Sequence, residues 1–337
     1  MSEDLMIMIR DHEMQTIFMN LLQRYGFTET NAVTCASIFT ENSIDGIYTH
    51  GVNRFVKFIQ YIKNDFIKID AVPSLQNKFA AMEQWHGNFG PGILNALHAT
   101  DRSMELATEH GVGFVTMANT NHWLRGGTYG WRAAKKDFAF ICWTNTIPNM
   151  PAWGARDARL GNNPLVFAIP FGSEAIVLDM AMSQYSFGAM EMMQMKGEKL
   201  SVNGGYNNEG VLTNDPAEIL ESRRPLPIGY WKGAGLTLLL DLFAAVLSGG
   251  LSTQEISVKG IEYCSQVFIA IDLSKLHNHS SIAMLVKNII DDYQQSVPVN
   301  EQSKITYPGE RILQTRNKNL AEGIPVMKNI WEEILAL

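Results

Sequence analysis

The sequence predicts an α/β protein of two lobes: a central sheet flanked by helices, with helical N-terminal and C-terminal regions forming the second lobe. Up to His110 the apolar residues recur at helical spacing between start and stop residues. After Gly111, short and almost continuously apolar runs separated by turn residues take over, the pattern of strands covered on both faces. Helical periodicity returns near the C-terminus.

The first helix spans Glu13 to Tyr25, with Ile17, Leu21 and Leu22 on one side and Gly26 as its end. The second runs from Glu29 to Asp45, with Thr28 as N-cap and Gly46 as stop. Gly51 and Val52 open the third, whose apolar positions Val52, Phe55, Ile59 and Ile62 carry it to about Asn64, so His50 stands at its mouth. The fourth covers Pro91 to His110, with proline near the first position and Gly111 beyond the last. The strand candidates are Val112–Met117, Ala139–Thr144, Leu165–Ile169, Ala175–Met180 and Val267–Asp272. The apolar segment from Ala234 to Leu247 contains Asp241 and falls short of the roughly 20 residues that cross a bilayer, so a buried core helix is expected. Helices at Ser281–Gln295 and Lys328–Leu335 close the chain. Lys196 to Pro227, rich in Gly, Asn, Glu and Pro, reads as a long excursion: a lid, an interface arm or a plain surface insertion.

With 337 residues, 46% of them hydrophobic, the chain forms one large domain or two ordinary ones. Its net charge of −7 and the lack of any basic run exclude nucleic acid and anionic membrane as natural partners. Cys35, Cys142 and Cys264 are odd in number and far apart, which fits a reducing cytoplasm better than a disulfide framework. The segment Met-Ser-Glu-Asp-Leu-Met-Ile-Met-Ile-Arg carries acids where a signal peptide carries bases, and it reads as mature protein.

The most informative stretch is Ile47-Tyr-Thr-His-Gly-Val-Asn-Arg54. It sets an imidazole and a guanidinium four residues apart where a turn becomes a helix, and a helix N-terminus favours a bound anion. Spacing alone admits two readings: a histidine capping a helix beside a solvated arginine, or a proton donor beside a carboxylate clamp. A second polar cluster, Asn119-Thr-Asn-His-Trp-Leu-Arg-Gly-Gly-Thr-Tyr-Gly130, follows the strand Val112–Met117, at the end of a strand where sites in α/β sheets tend to lie. There His122 and Arg125 either meet His50 and Arg54 across a cleft, binding an acidic substrate, or belong to a Gly-rich turn. Pro227-Ile-Gly-Tyr-Trp-Lys-Gly-Ala-Gly-Leu236 sets small residues and Lys232 at a helix start, a weak phosphate signal. Neither a P-loop nor a G-x-G-x-x-G fingerprint occurs, and no Gly-x-Ser-x-Gly elbow or His-Glu-x-x-His metal motif is present. No metal is expected.

Taken together, Tyr48-Thr-His-Gly-Val-Asn-Arg54, Asn121-His-Trp-Leu-Arg-Gly-Gly127, Ile141-Cys-Trp-Thr-Asn145, Gly161-Asn-Asn-Pro164, Leu178-Asp-Met180, Gly229-Tyr-Trp-Lys-Gly233 and Tyr307-Pro-Gly-Glu310 resemble, in order, the malate/L-lactate dehydrogenase family that is distinct from the Rossmann enzymes, also called sulfolactate dehydrogenase-like. The resemblance covers essentially the whole chain, and the tryptophan-bearing forms are most similar to the branch that reduces 2,3-diketo-L-gulonate. It implies a non-Rossmann mixed central sheet and a cytoplasmic homodimer that binds NADH, with NADPH as the other choice. It also implies a lobe for substrate and dimer contacts, 1–118 plus 297–337, and a nicotinamide cofactor domain, 119–296.

By the same resemblance His50 is the acid/base. Ala175, Ile176, Val177, Leu178, Asp179, Met180, Ala181, Trp231, Lys232, Gly309, Glu310 and Arg311 match cofactor-lining positions. Arg54 and His122 are assigned to the carboxylate of a 2-oxo acid. Thr49 departs from the serine that many members carry before the histidine. Other substrates open to the same fold are malate, sulfolactate, ureidoglycolate and a cyclic imino acid. A non-catalytic dimer binding an organic anion is the reading from another class.

Overall fold

In the computed structural model, residues 6–259 and 263–337 are described; the first five residues, part of the segment read as a mature N-terminus, lie outside them. In chain order the elements are β1 (Met6–Ile9), α1 (Asp11–Arg24), α2 (Glu29–Ile44), a 3₁₀ turn at Tyr48–His50, α3 (Val52–Lys63), β2 (Ser74–Phe79), β3 (Met82–His86), α4 (Gly92–His110), β4 (Val112–Thr120), α5 (Gly127–Ala134) and β5 (Phe138–Thr144). Then come β6 (Met150–Pro151), β7 (Ala158–Leu160), β8 (Leu165–Phe171), β9 (Glu174–Met180), α6 (Phe187–Lys196), β10 (Gly205–Tyr206), β11 (Leu212–Thr213) and α7 (Pro216–Ser222). The chain ends with α8 (Trp231–Ser248), α9 (Thr253–Lys259), β12 (Cys264–Asp272), α10 (His279–Gln294), α11 (Glu310–Glu322), β13 (Ile324–Met327) and α12 (Lys328–Leu335).

The main sheet has seven strands in the order β2-β3-β4-β12-β5-β8-β9. Only the β3–β4 pair is parallel, so the sheet is mixed. Every strand expected from an apolar run is present. The β2–β3 hairpin at one edge was not expected, because Ser-Leu-Gln-Asn-Lys-Phe is polar and mostly exposed. The sheet crosses residue 118: β4 continues to Thr120, and β2 and β3 extend the sheet from the N-terminal side.

Each sheet face has its own core. On one face α4 and α5 bury Ala96, Leu106, Tyr129 and Ala133 against Val115, Phe140, Val166 and Phe268. On the other, α8 lays Leu240 and Ala244 on Trp143, Leu165 and Val267. The expectation of a buried core helix there needs correcting. Only the stripe Gly233, Thr237, Leu240, Ala244 and Ser248 is buried, at three- and four-residue spacing, while Leu238, Leu239, Leu242, Phe243 and Val246 are exposed. A sheet covers one side of a helix, and nothing among the described residues covers the other. The helix is long and apolar enough to cross a membrane by length and composition, yet its mid-helix Asp241 is held by Asn145 and the Thr253 N–H at 2.8 and 2.9 Å.

The second lobe has a separate core. Phe18, Phe39, Phe55 and Phe58 from α1 to α3 meet Ile324, Val326, Trp331 and Ile334 from the C-terminal end. The antiparallel β1–β13 pair joins the two ends of the chain. Thr28 caps α2 through the Asn31 N–H at 3.3 Å, as expected.

The excursion after β9 is folded. Residues 184–226 contain α6, the β10–β11 hairpin and α7 around a small core of Met190, Leu200 and Ile219. Its two ends are sewn together where the Gln184 N–H donates to the Leu226 carbonyl at 2.7 Å, beside the Ser183–Pro227 bridge.

Candidate active site

The end of α2 holds His50 in place. Asn42 Nδ2 donates to the His50 carbonyl at 2.9 Å, and Ser43 Oγ accepts the Val52 N–H at 2.8 Å. A β-carbon at residue 51 would lie 2.3 Å from Ser43 Oγ, so only glycine lets the turn sit this close to α2. The first N–H of α3, expected to await an anion, is therefore taken by Ser43. Anion attraction at this point comes from Arg54, in the first turn of α3.

His122 lies in the loop after β4. Asn121 pins that loop by donating to the Phe66, Phe89 and Gly90 carbonyls at 3.2, 2.8 and 3.0 Å. The Leu124 N–H donates to His122 Nδ1 at 3.0 Å, which assigns the proton of the neutral ring to Nε2. The His50 and His122 rings stack with centroids 5.7 Å apart and planes 16° from parallel. Arg54, Lys57, Tyr61, Asn121 and His122 line one narrow cleft. Two loops and a helix distant in sequence thus bring together the three residues assigned to the reaction.

Burial pushes the His50 imidazole down to about 4, and the positive charges of Arg54 and Arg125 add to the effect. His122 is pushed well below the ordinary histidine range by burial, then by Arg54, His50 and Lys57. Both rings are neutral at pH 7, in a cleft whose nearby charges are cationic.

Arg125, offered by sequence as a substrate ligand, is occupied within the protein. It is 5% exposed, forms an ion pair with Asp45 and lies 3.7 Å from Asp179. Asp45 also accepts from Arg316 Nε of α11 at 2.7 Å. Asp179 accepts the Gly127 N–H at 2.8 Å; burial raises its carboxyl against the opposing pull of Arg125 and that N–H. This chain of charges joins α2, the loop after β4, β9 and α11.

The β9 segment and the start of α11 adjoin. The Val177 N–H donates to the Pro308 carbonyl at 3.2 Å, and a β-carbon on Gly309 would meet the Trp131 ring at 3.2 Å and the Val177 backbone at 3.4 Å. Ala175 and Val177 face the core, Ile176, Leu178, Met180 and Ala181 are partly buried, and Arg311 is exposed. Glu310 accepts from Lys304 Nζ at 2.8 Å and from the Tyr307 N–H at 3.3 Å. Trp231 and Lys232 stand apart at the start of α8. Trp231 is 66% exposed, and among the described residues no hydrogen bond or ion pair joins either one to this seam.

Beside the seam lies a cavity of about 630 Å³ between α2, α5 and α11, walled by Asp45, Thr128, Trp131, Arg132, Lys135, Glu174 and Arg316 among others. Trp131 Nε1 is buried there without a hydrogen-bond partner among the described residues. A pocket of this size with an unused donor has room for a dinucleotide.

Asn42, Asp45, Thr128 and Arg316 were missed in the sequence. Asp45 carried one signal: an acid at a helix C-terminus opposes the helix dipole unless a cation answers it. Asn42 and Arg316 carried none, since their partners are 8 and 271 residues away.

A sequence model described as malate/L-lactate dehydrogenase matches residues 9–335. The chain is 41% identical to a 2,3-diketo-L-gulonate reductase of Citrobacter koseri over 327 residues, 96% of this chain and 98% of the relative. Among solved structures, malate dehydrogenase from Entamoeba histolytica superposes with a TM-score of 0.92 at 23% identity, covering 98% of this chain and 97% of that one. Sulfolactate dehydrogenase from Methanocaldococcus jannaschii gives 0.89 at 25% identity, covering 97% and 95%. With its fold shared across that group and the family matched nearly end to end, the chain belongs to the malate/L-lactate dehydrogenase family, oxidoreductases that act on hydroxy and oxo acids.

Proposed function

We propose that this protein is an NAD(P)H-dependent reductase of a 2-oxo sugar acid, with 2,3-diketo-L-gulonate as its substrate and His50 as proton donor. The observation that carries the reading is the stack of His50 on His122, which lines one cleft with Arg54, in a chain 41% identical to a reductase of that substrate.

Arg54 presents a planar fork that matches a carboxylate, and it holds the substrate so that its carbonyl faces His50. His122, with its proton on Nε2 and its ring stacked beside that of His50, donates to the substrate. The bound dihydronicotinamide supplies the hydride. Negative charge then builds on the carbonyl oxygen, and His50 delivers a proton there, help typically worth about 10²–10⁴-fold.

Because burial, Arg54 and Arg125 keep His50 neutral, the substrate carboxylate has a second task. By cancelling the charge of Arg54 it lets His50 take up the proton that it donates. Trp131 and Gly309, beside the adjoining cavity, would hold the cofactor, and either NADH or NADPH meets that description. The exposed apolar face of α8 supports a homodimer.

The test is a panel of NADH and NADPH oxidation rates with 2,3-diketo-L-gulonate, oxaloacetate, sulfopyruvate and a cyclic imino acid. The highest kcat/KM is expected with the diketo acid. A higher value with another panel member overturns the substrate, and no turnover with any of them overturns the reductase reading.

A further inference from the structure

The folded excursion reaches the active site at one point. A β-carbon on Gly188, in the first turn of α6, would lie 2.4 Å from Thr49 Cγ2 and 3.5 Å from Thr49 Oγ1. The Thr49 methyl therefore occupies the notch that the missing side chain leaves. On the other branch of the same side chain, Thr49 Oγ1 lies 3.1 Å from His50 Nδ1. A β-branched side chain is stiff about χ1, so seating the methyl also fixes the hydroxyl.

A hydroxyl is suited to that place. It donates to Nδ1 when the ring is neutral with its proton on Nε2, and it accepts from Nδ1–H when the ring is protonated. When Nε2 gives up its proton the neutral ring is left with the proton on Nδ1, and the hydroxyl accepts from that N–H as well, so it serves the ring throughout the cycle.

We infer that Gly188 is a positioning residue: its notch seats the Thr49 methyl, and through the Thr49 hydroxyl at Nδ1 the 184–226 unit fixes the orientation of the His50 ring. The inference rests on the proposed role of His50. The unit is built to deliver such a contact. It has its own core, its ends are tied at Gln184 and Leu226, and Ser186 caps α6 through the Ala189 N–H at 3.2 Å.

The experiment compares the parent protein with Gly188→Ala, Thr49→Ser and the double variant, with His50→Ala alongside. Alanine favours a helix more than glycine does, so Gly188→Ala leaves α6 intrinsically stronger and perturbs the contact alone. Gly188→Ala is expected to lower kcat about tenfold or more, with KM for the cofactor unchanged, using NADH and the best acid of the panel. Serine lacks the methyl, so the double variant recovers most of the rate.

Histidine side-chain ¹⁵N spectra, with the His50 signals identified by their loss in His50→Ala, read the same contact without catalysis. The parent and the double variant show the same His50 nitrogen shifts, whereas Gly188→Ala moves the Nδ1 signal that reports the hydrogen bond with Thr49. Unchanged His50 nitrogens in Gly188→Ala, a parent-like kcat in Gly188→Ala, or a double variant no faster than it overturns the inference. If Gly188→Ala does not fold, the double variant compared with Thr49→Ser decides in the same way. Normal turnover in His50→Ala would instead sink the acid assignment, whatever the spectra show.

Discussion

His50 is surrounded by cations, and among the described residues no carboxylate is among the causes of its shift. An acid with a pKa of about 4 is unprotonated at neutral pH, so the proton must come with the substrate. The sign follows. At saturating cofactor, kcat/KM for reduction reports the substrate-free cleft and falls with rising pH once above about 4. The kcat profile reports the complex, in which the bound carboxylate screens Arg54, and its descent begins at least about one unit higher. Steady-state profiles from pH 4 to 9 check this, and coincident descents in kcat and kcat/KM refute proton uptake on binding. For oxidation of the hydroxy acid the sign reverses, because His50 must then be neutral. Lys57, one turn beyond Arg54, lowers His122 as well, so the field belongs to the whole face of α3.

Elements hold the site through charges that regular periodicity does not reveal. α11 clamps the end of α2 twice: Arg316 pairs with Asp45, and Asn319 Nδ2 donates to the Ile44 carbonyl at 2.8 Å and to Tyr48 Oη at 3.1 Å. Asp45 is 7% exposed and answers both Arg125 and Arg316. Asp45→Asn removes the closer carboxylate of the buried Arg125, leaving it only Asp179 at 3.7 Å, and should cost about 3–5 kcal/mol of stability, read from the urea midpoint. Asp157→Asn, at the exposed pair with Arg159, should leave the midpoint unchanged. Equal midpoints for the two variants would show that the Asp45 network contributes nothing special. The ends of α2 and of α4 were legible because Gly46 and Gly111 adopt positive φ of 79° and 87° there. α5 and α11 were not: each is short or polar and is held mainly by what it packs against.

At the scale of the molecule, two lobes with separate cores meet at the His50–His122 stack, and the sheet presents α8 outward. Val246 is 72% exposed, Phe243 53% and Leu242 49%, while α10 adds Met284 and Ile289 at 64% and 58%. Exposed apolar faces of this extent mark interfaces, and a stable dimer buries roughly 1,200–2,000 Å². In the proposed homodimer, Leu242→Glu with Val246→Glu should convert the dimer to a monomer in light scattering at micromolar concentration. A double variant that remains dimeric places the interface elsewhere.

The sequence by itself determined the α/β class, the five apolar strands, four N-terminal helices and the His50–Arg54 pair, because periodicity, caps and nearest-neighbour spacing are local properties. Ordered motifs along the chain also carried the family. Only the tertiary structure decided that Arg125 is spent on Asp45, that α8 is buried along one stripe alone, and that Gly188 closes on Thr49. Each of those depends on what stands opposite a residue in space. A guanidinium reads the same in sequence whether it faces a substrate or a buried carboxylate, and a glycine records nothing of the methyl group that fills its place.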